Sequence, residues 1–219
     1  KGCVATIEPS RYREGRCYIA IDAHRADSTA PYVLFTDDFG KSWASLRANL
    51  PDGSARTLRE DIQNEKLLYV GTEFGAWISL DRGSYWIKLN NNLPTVAVHE
   101  FAQPRTANEI VAATHGRGIW IFDVTPIRQM TDDVQKATVH LFKPQPAVAW
   151  GTSVGRSLYG HKRFTGENPS DGAAIHYMLA EPAKGVSLKV LDADGKTVRE
   201  LPAKKDAGLH RVVWDLRRS

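Results

Sequence analysis

The chain has 219 residues, of which 42% are apolar and 25% charged, with 29 Lys and Arg against 25 Asp and Glu. This is the composition of a folded globular protein, and no stretch stays apolar for long enough to cross a bilayer. The basic residues are scattered apart from residues 155–162 and the pair Arg217 and Arg218. No basic stripe interleaved with aromatics is present, so a nucleic-acid partner is not expected.

Cys3 and Cys17 are the only cysteines, too few for a disulfide scaffold and without metal-type spacing. The opening Lys1-Gly2-Cys3-Val4 does not read as a secretory leader.

In chain order, the first informative segment is the polar stretch Asp22-Ala23-His24-Arg25-Ala26-Asp27, followed by Thr36-Asp37-Asp38-Phe39-Gly40-Lys41-Ser42-Trp43 and Asn49-Leu50-Pro51. The last two return 43 residues later as Ser79-Leu80-Asp81-Arg82-Gly83-Ser84-Tyr85-Trp86 and Asn92-Leu93-Pro94. The shared pattern is Ser/Thr-x-Asp-x-Gly-x-x-Trp. Short β-rich runs lie around it, at residues 67–72, 76–80 and 86–89. A third copy follows directly: Gly75-Ala76-Trp77-Ile78 aligns with Gly118-Ile119-Trp120-Ile121, and Leu67 to Val70 with Ile110 to Ala113. Its Asp position is Val124, and Thr125-Pro126 ends the strand in place of a turn. A period of about 40 to 50 residues carrying four short strands is the mark of a β-propeller blade.

The fold class expected is therefore all-β, with the last three or so blades of a propeller at residues 1–126. Three blades do not close a ring, since propellers use about four to eight. The remaining blades are expected from the same protein or from another chain. Asp38 and Asp81 are expected to accept backbone N–H bonds within their own turns, while Gly40 and Gly83 supply positive φ. Trp43 and Trp86 are expected to pack between neighbouring blades. These six are read as structural, not catalytic.

These residues resemble the Asp-box, or BNR-repeat, superfamily, which includes sialidases, the sortilin ten-bladed propeller and xyloglucan-type glycoside hydrolases. The chain is most similar to large bacterial proteins of the sortilin-like or BNR-repeat glycosyl hydrolase type. Phrases such as Ile7-Glu8-Pro9-Ser10, Val70-Gly71-Thr72-Glu73-Phe74-Gly75 and Thr114-His115-Gly116-Arg117-Gly118-Ile119-Trp120 carry the likeness. The resemblance implies an exported protein, periplasmic or extracellular. It does not imply an activity, because neither the arginine triad of sialidases nor a pair of carboxylates flanking a glycosidic bond can be matched residue by residue.

The Asp-box turn joins the third and fourth strands of a blade, so the loops joining the second and third open on the opposite face. Those loops contain His24, Arg25 and Asp27, then Glu73, then His115 and Arg117. Together they form a candidate polar funnel for a carboxylate or a sugar, against which stands the reading that they are solvated tips or inter-blade ion pairs. The first loop is eight residues longer than the second, and added loop length on a rigid scaffold commonly serves function. The expected role is binding of a protein, peptide or glycan, without a cofactor, metal or catalytic residue in this chain. The alternative is a glycoside hydrolase whose catalytic groups lie in upstream blades.

Three motifs are set aside. Gly151-Thr152-Ser153-Val154-Gly155 fits the hydrolase elbow but is followed by a basic, glycine-containing loop where a helix is required. His99-Glu100-Phe101-Ala102-Gln103 misses the zinc-protease pattern and lies in an expected strand. Asn168-Pro169-Ser170 has proline at the position that excludes glycosylation.

Residues 127–150 are expected to form a linker with a short polar helix at 127–136 and a strand at 138–142. Residues 151–219 are expected to form a partial β-sandwich that opens on a long loop. Its strands fall at 175–180, 186–191, 197–201 and 210–216, with a hairpin turn at Asp192-Ala193-Asp194-Gly195. It resembles the FlgD-like and fibronectin-like modules that follow extracellular bacterial enzymes, and its five or six strands fall short of the usual seven or so.

Overall fold

The structure is a computed structural model that describes residues 2–89, 92–149 and 170–218. The Gly-x-Ser-x-Gly match, the Asn-Pro-Ser triplet's first two residues and the basic stretch at 155–162 lie outside the described residues. The fold is all-β, with two short α-helices and a 3-10 turn among the described residues, and the chain divides into two compact units, Lys1–Val124 and Thr125–Ser219.

The first unit holds three antiparallel meanders. Strands β1 (Cys3–Pro9), β2 (Cys17–Asp22), β3 (Tyr32–Thr36) and β4 (Ala44–Ser45) form the first sheet, in that order. Strands β5 (Ala55–Glu60), β6 (Leu68–Thr72), β7 (Gly75–Ser79) and β8 (Ile87–Lys88) form the second. The third has three strands, β9 (Val98–Ala102), β10 (Glu109–Thr114) and β11 (Ile119–Asp123). Each meander is a propeller blade, and β1, β5 and β9 are neighbours as the innermost strands.

Side-chain alternation explains why the blades stack. On the first sheet Tyr18, Ala20, Val33 and Phe35 face the second, where Leu58, Leu68, Val70 and Trp86 meet them in one apolar cluster. The opposite face of the first sheet carries the cross-strand ladder Ile7, Ile19 and Leu34. Between the second and third sheets, Tyr69 packs on Phe101 with ring centroids 6.0 Å apart.

Polar latches reinforce the apolar contact. Glu60, fully buried at the end of β5, accepts from the Arg11 backbone N at 2.7 Å, from Ser10 Oγ at 2.9 Å and from the Tyr18 hydroxyl at 3.1 Å. Gln103, 43 residues later, repeats the gesture toward the second sheet, donating to Glu60 O at 2.8 Å and accepting from Ile62 N at 3.1 Å.

The Asp boxes are turns held by their aspartates. Asp38 accepts from Ser42 N at 2.9 Å, from Ser42 Oγ at 2.6 Å and from Thr36 Oγ1 at 2.7 Å. Bonding to Ser42 and Thr36 lowers the Asp38 pKa to about 2. Asp81 accepts from Tyr85 N at 2.9 Å and Ser79 Oγ at 2.8 Å, and Gly40 and Gly83 take φ of 83° and 88°. Gly83 sits against the Leu46 side chain, so its missing Cβ also lets the second turn approach the first sheet.

The two box tryptophans behave differently. Trp86 is 1% exposed, docked on the first sheet through Nε1 to Leu46 O at 2.8 Å and through Asn49, whose amide bonds both its N at 2.7 Å and its O at 2.8 Å. Trp43 is 42% exposed, contrary to the expectation that both pack between blades. The reason follows from the docking direction: a box tryptophan packs on the preceding sheet, and the described residues hold no sheet ahead of the first.

In the second unit, α1 (Thr125–Arg128) and α2 (Asp132–Lys136) precede β12 (Val139–Leu141). Thr131 caps α2 by accepting from Val134 N at 3.3 Å, and acidic Asp132 and Asp133 occupy its first turn. β12, β13 (Ala173–Leu179) and β16 (Gly208–Trp214) form one sheet in the order β12-β13-β16. β14 (Leu188–Leu191) and β15 (Thr197–Leu201) form a hairpin closed by the turn at Asp192, whose carboxylate accepts from Asp194 N and Lys196 N. Phe142, Tyr177, Leu179 and Leu201 are among the buried side chains of the second unit. Among the described residues no helix is long and apolar enough to cross a membrane.

Candidate functional site

Successive hairpin turns alternate ends of a meander, so the β2–β3, β6–β7 and β10–β11 loops open at the end opposite the Asp boxes. The β2–β3 loop makes a one-turn 3-10 helix, His24–Ala26, closed by Asp27 at φ 54°. Asp22 anchors its start, accepting from His24 N at 3.1 Å and Nδ1 at 2.7 Å. The β6–β7 turn is Glu73 and Phe74 alone, with Glu73 N donating to Ser54 O at 3.0 Å and Phe74 N to Thr72 Oγ1 at 3.3 Å. In the β10–β11 loop Gly116 and Gly118 take positive φ, and His115 N donates to Ala97 O at 2.9 Å.

A second structural device supplies the rest of the site. Each innermost strand carries a bulge near its start, and the residue left without a partner is Ala5 in β1, Arg56 in β5 and His99 in β9. A bulge re-aims its extra side chain out of the regular alternation. Here it turns Arg56 toward the loops, where its guanidinium bonds both Asp22 and Glu73 and lies 3.3 Å from His24 Nδ1. Arg56 thus ties the first sheet's loop to the second sheet's turn.

Beside this bridge lies an open cavity of about 320 Å³, lined among others by His24, Asp27, Thr29, Arg56, Glu73 and Phe74. Phe74, 50% exposed, forms one wall. Gly53, at φ 139°, makes that wall possible, because a Cβ there would stand 2.9 Å from the phenyl ring. Gly53 N also donates to Thr29 O at 2.6 Å, fixing the cavity floor to the long loop.

The electrostatics favour donors over anions. Burial works against the ionised form of Asp22, but its bonds from His24 and the Arg56 charge outweigh it and lower its pKa. Arg56 is committed to two carboxylates, so the cavity presents the Asp27 carboxylate and the second Glu73 oxygen as its acceptors. His99 stacks on His115 at 5.2 Å, and burial, then the Arg56 and His115 charges, lower its pKa.

Of the six loop residues singled out from sequence, the structure brings His24, Asp27 and Glu73 to the cavity. Arg25 is exposed on the 3-10 helix and is not part of the lining. His115 reaches the constellation through His99, while Arg117 is exposed in its own loop, its carbonyl accepting from Trp120 Nε1 at 3.0 Å. Sequence reasoning missed Arg56, His99 and Phe74 as site residues. The available signal was that Arg56 and His99 are 43 residues apart, at one position of the repeat.

A second charged group runs along the inner strands: Arg59 bonds Glu8 at 3.1 Å and Glu100 at 2.7 Å, and Thr57 Oγ1 donates to Glu100 at 3.1 Å. Burial outweighs the Arg59 and Arg11 charges and raises the Glu8 pKa. Among the described residues no three His, Cys, Asp or Glu side chains are grouped so as to hold a metal ion.

No protein-family model matches the chain, and no curated protein matches it. Solved structures do. One described as "YCF48 bound to D1 peptide" aligns with 91% of this chain and 54% of its own, at 14% identity and TM-score 0.40. The GH74 enzyme of Niastella koreensis aligns with 90% of this chain and 30% of its own, at 13% identity and TM-score 0.40. The GH74 xyloglucanase of Xanthomonas campestris aligns with 93% and 32%, at 16% identity and TM-score 0.44. The chain spans about half the length of the first and about a third of the other two. At such identities and TM-scores these likenesses assign no residue of this chain a role.

Proposed function

We propose that this chain is the blade-and-sandwich portion of an exported Asp-box propeller of the sortilin-like or BNR-repeat type, and that its loop face binds a protein, peptide or glycan without chemistry of its own. The observation that carries this reading is the cavity beside Arg56. It joins two blades, has an exposed aromatic wall, and holds Arg56 in ion pairs with Asp22 and Glu73. Because Arg56 is already neutralised, the ligand group suited to the cavity is one rich in O–H or N–H donors, such as a sugar or a basic side chain, and not a carboxylate. On the first sheet, exposed Ile7 with half-buried Ile19 and Leu34 beside it, together with Trp43, fits coverage by a further blade.

The alternative, a glycoside hydrolase, requires two carboxylates across a cleft, one of them with a raised pKa. Glu8 and Glu100 on either side of Arg59 are the described pair on which that reading would rest.

The test is to immobilise the chain and screen it against defined oligosaccharide and peptide arrays. A retained ligand is expected to be lost from Phe74→Ala and kept by Phe39→Ala, which changes an exposed aromatic at the Asp-box end. Retention that is indifferent to Phe74→Ala would place binding elsewhere, and release of reducing sugar from an oligosaccharide would favour the hydrolase.

A further inference from the structure

The first two sheets are completed by a fourth strand that leads out of an Asp box, and among the described residues the third is not. β4 pairs with β3 through Ala44 opposite Phe35, and β8 pairs with β7 through Lys88 opposite Trp77 and Ile87 opposite Ile78. The repeat equivalents of Trp77 and Ile78 are Trp120 and Ile121 on β11, the edge of the third sheet. Among the described residues no strand pairs with β11 on that side, and its apolar side chains are uncovered, Ile119 at 71% and Ile121 at 63% exposed. Natural sheets seldom leave such an edge uncovered, because it is a template for another strand.

The second sheet also repeats the receptor that holds a box tryptophan. On the first sheet Leu46 O takes the Trp86 indole N–H, and the Asn49 amide reads the Trp86 backbone from both sides. The residues 43 positions on are Leu89 and Asn92, again followed by Leu-Pro. Among the described residues nothing bonds the Asn92 side chain, and the third repeat has Gln129 where the tryptophan would be. Among the described residues of the two turns, Ala48 and Asn92 have left-handed backbone.

We infer that β11 accepts a fourth strand from polypeptide outside the described residues, and that this strand carries a tryptophan whose indole and backbone dock on Leu89 and Asn92. The occupant's chemistry is set by the filled copy of the same interface: an extended segment with Trp followed by a β-branched or aliphatic residue, as in Trp86-Ile87. Both Asp-box strands of the described residues are already paired in their own sheets, which directs the search outside them. The inference is independent of the ligand cavity at the opposite end of the loops.

The test uses a synthetic peptide with the sequence of residues 79–89, capped at both ends, titrated into the 219-residue chain. Nuclear magnetic resonance follows the Asn92 side-chain amide, and hydrogen exchange follows β11. The expected result is saturable binding, slowed exchange at residues 119–123 and a shift of the Asn92 amide. A peptide with alanine for tryptophan, and an Asn92→Ala chain with unchanged circular dichroism and melting, are each expected to bind roughly tenfold or more weakly. Absence of saturable binding, equal binding by the alanine peptide, or protection appearing at β7 instead of β11 would each overturn the inference.

Discussion

Trp86→Ala is expected to destabilise the chain by about 3–5 kcal/mol, the range for emptying a fully buried large aromatic site. The side chain lies at the centre of the cluster between the first two sheets, beside Leu46, Leu50 and Leu58. Its removal also leaves Leu46 O without the indole donor it has in the fold, an added cost of about 1–3 kcal/mol if water does not reach the site. Trp43→Ala supplies the internal control. It occupies the same position of the repeat but is half exposed and donates to no described residue, so it is expected to cost about 1 kcal/mol or less. Urea denaturation followed by far-ultraviolet circular dichroism compares the two without relying on tryptophan fluorescence. Equal losses for the two variants would refute the docking direction deduced from Leu46 and Asn49.

Glu60→Ala is the second large effect, expected at about 3 kcal/mol or more. Glu60 is fully buried and is the common acceptor for the Arg11 backbone N, the Ser10 hydroxyl and the Tyr18 hydroxyl. Deleting the carboxylate removes the acceptor of three donors at once, the buried Tyr18 hydroxyl and two half-buried ones, and an orphaned buried donor costs about 1–3 kcal/mol. Tyr18→Phe removes one of the three bonds without stranding a donor, and is expected to cost about 1 kcal/mol. Thermal melting of the two variants orders them directly. A Glu60→Ala protein as stable as Tyr18→Phe would mean that water replaces the carboxylate and that the latch does not hold the sheets together.

The blades were readable because the Asp box combines residues that each have a local reason to be there. Asp38 and Asp81 satisfy the turn's own N–H groups, and Gly40 and Gly83 take the left-handed backbone. Such constraints are written within eight residues and repeat at 43, so the sequence pattern and the folded turn coincide. The strands of the second unit were readable for a similar reason, since alternation and the Asp192 turn are local.

What was not readable depends on pairing across strands. Arg56 enters the site because β5 and β6 slip by one residue between Ala55 and Thr57, and His99 because β9 and β10 slip next to Val98. Neither slip has a marker in the flanking residues, for Ala55-Arg56-Thr57 and Val98-His99-Glu100 share no side chain. Glu73 stands in an inter-blade ion pair, the reading set beside the polar funnel, but its partner was not readable: without the bulge nothing places Arg56 between Asp22 and Glu73. The exposure of Trp43 was likewise hidden, because burial of a box tryptophan is decided by the sheet ahead of it and not by its own repeat.

If the three sheets are consecutive blades of a larger ring, a cryo-electron microscopy map of the protein purified from its natural source has to show their neighbours. The expected features are a further β-sheet packed against Ile7, Ile19 and Trp43, and a strand alongside β11. A map in which Trp43 and Ile121 both face solvent, with no sheet beyond these three in the ring, would contradict that arrangement.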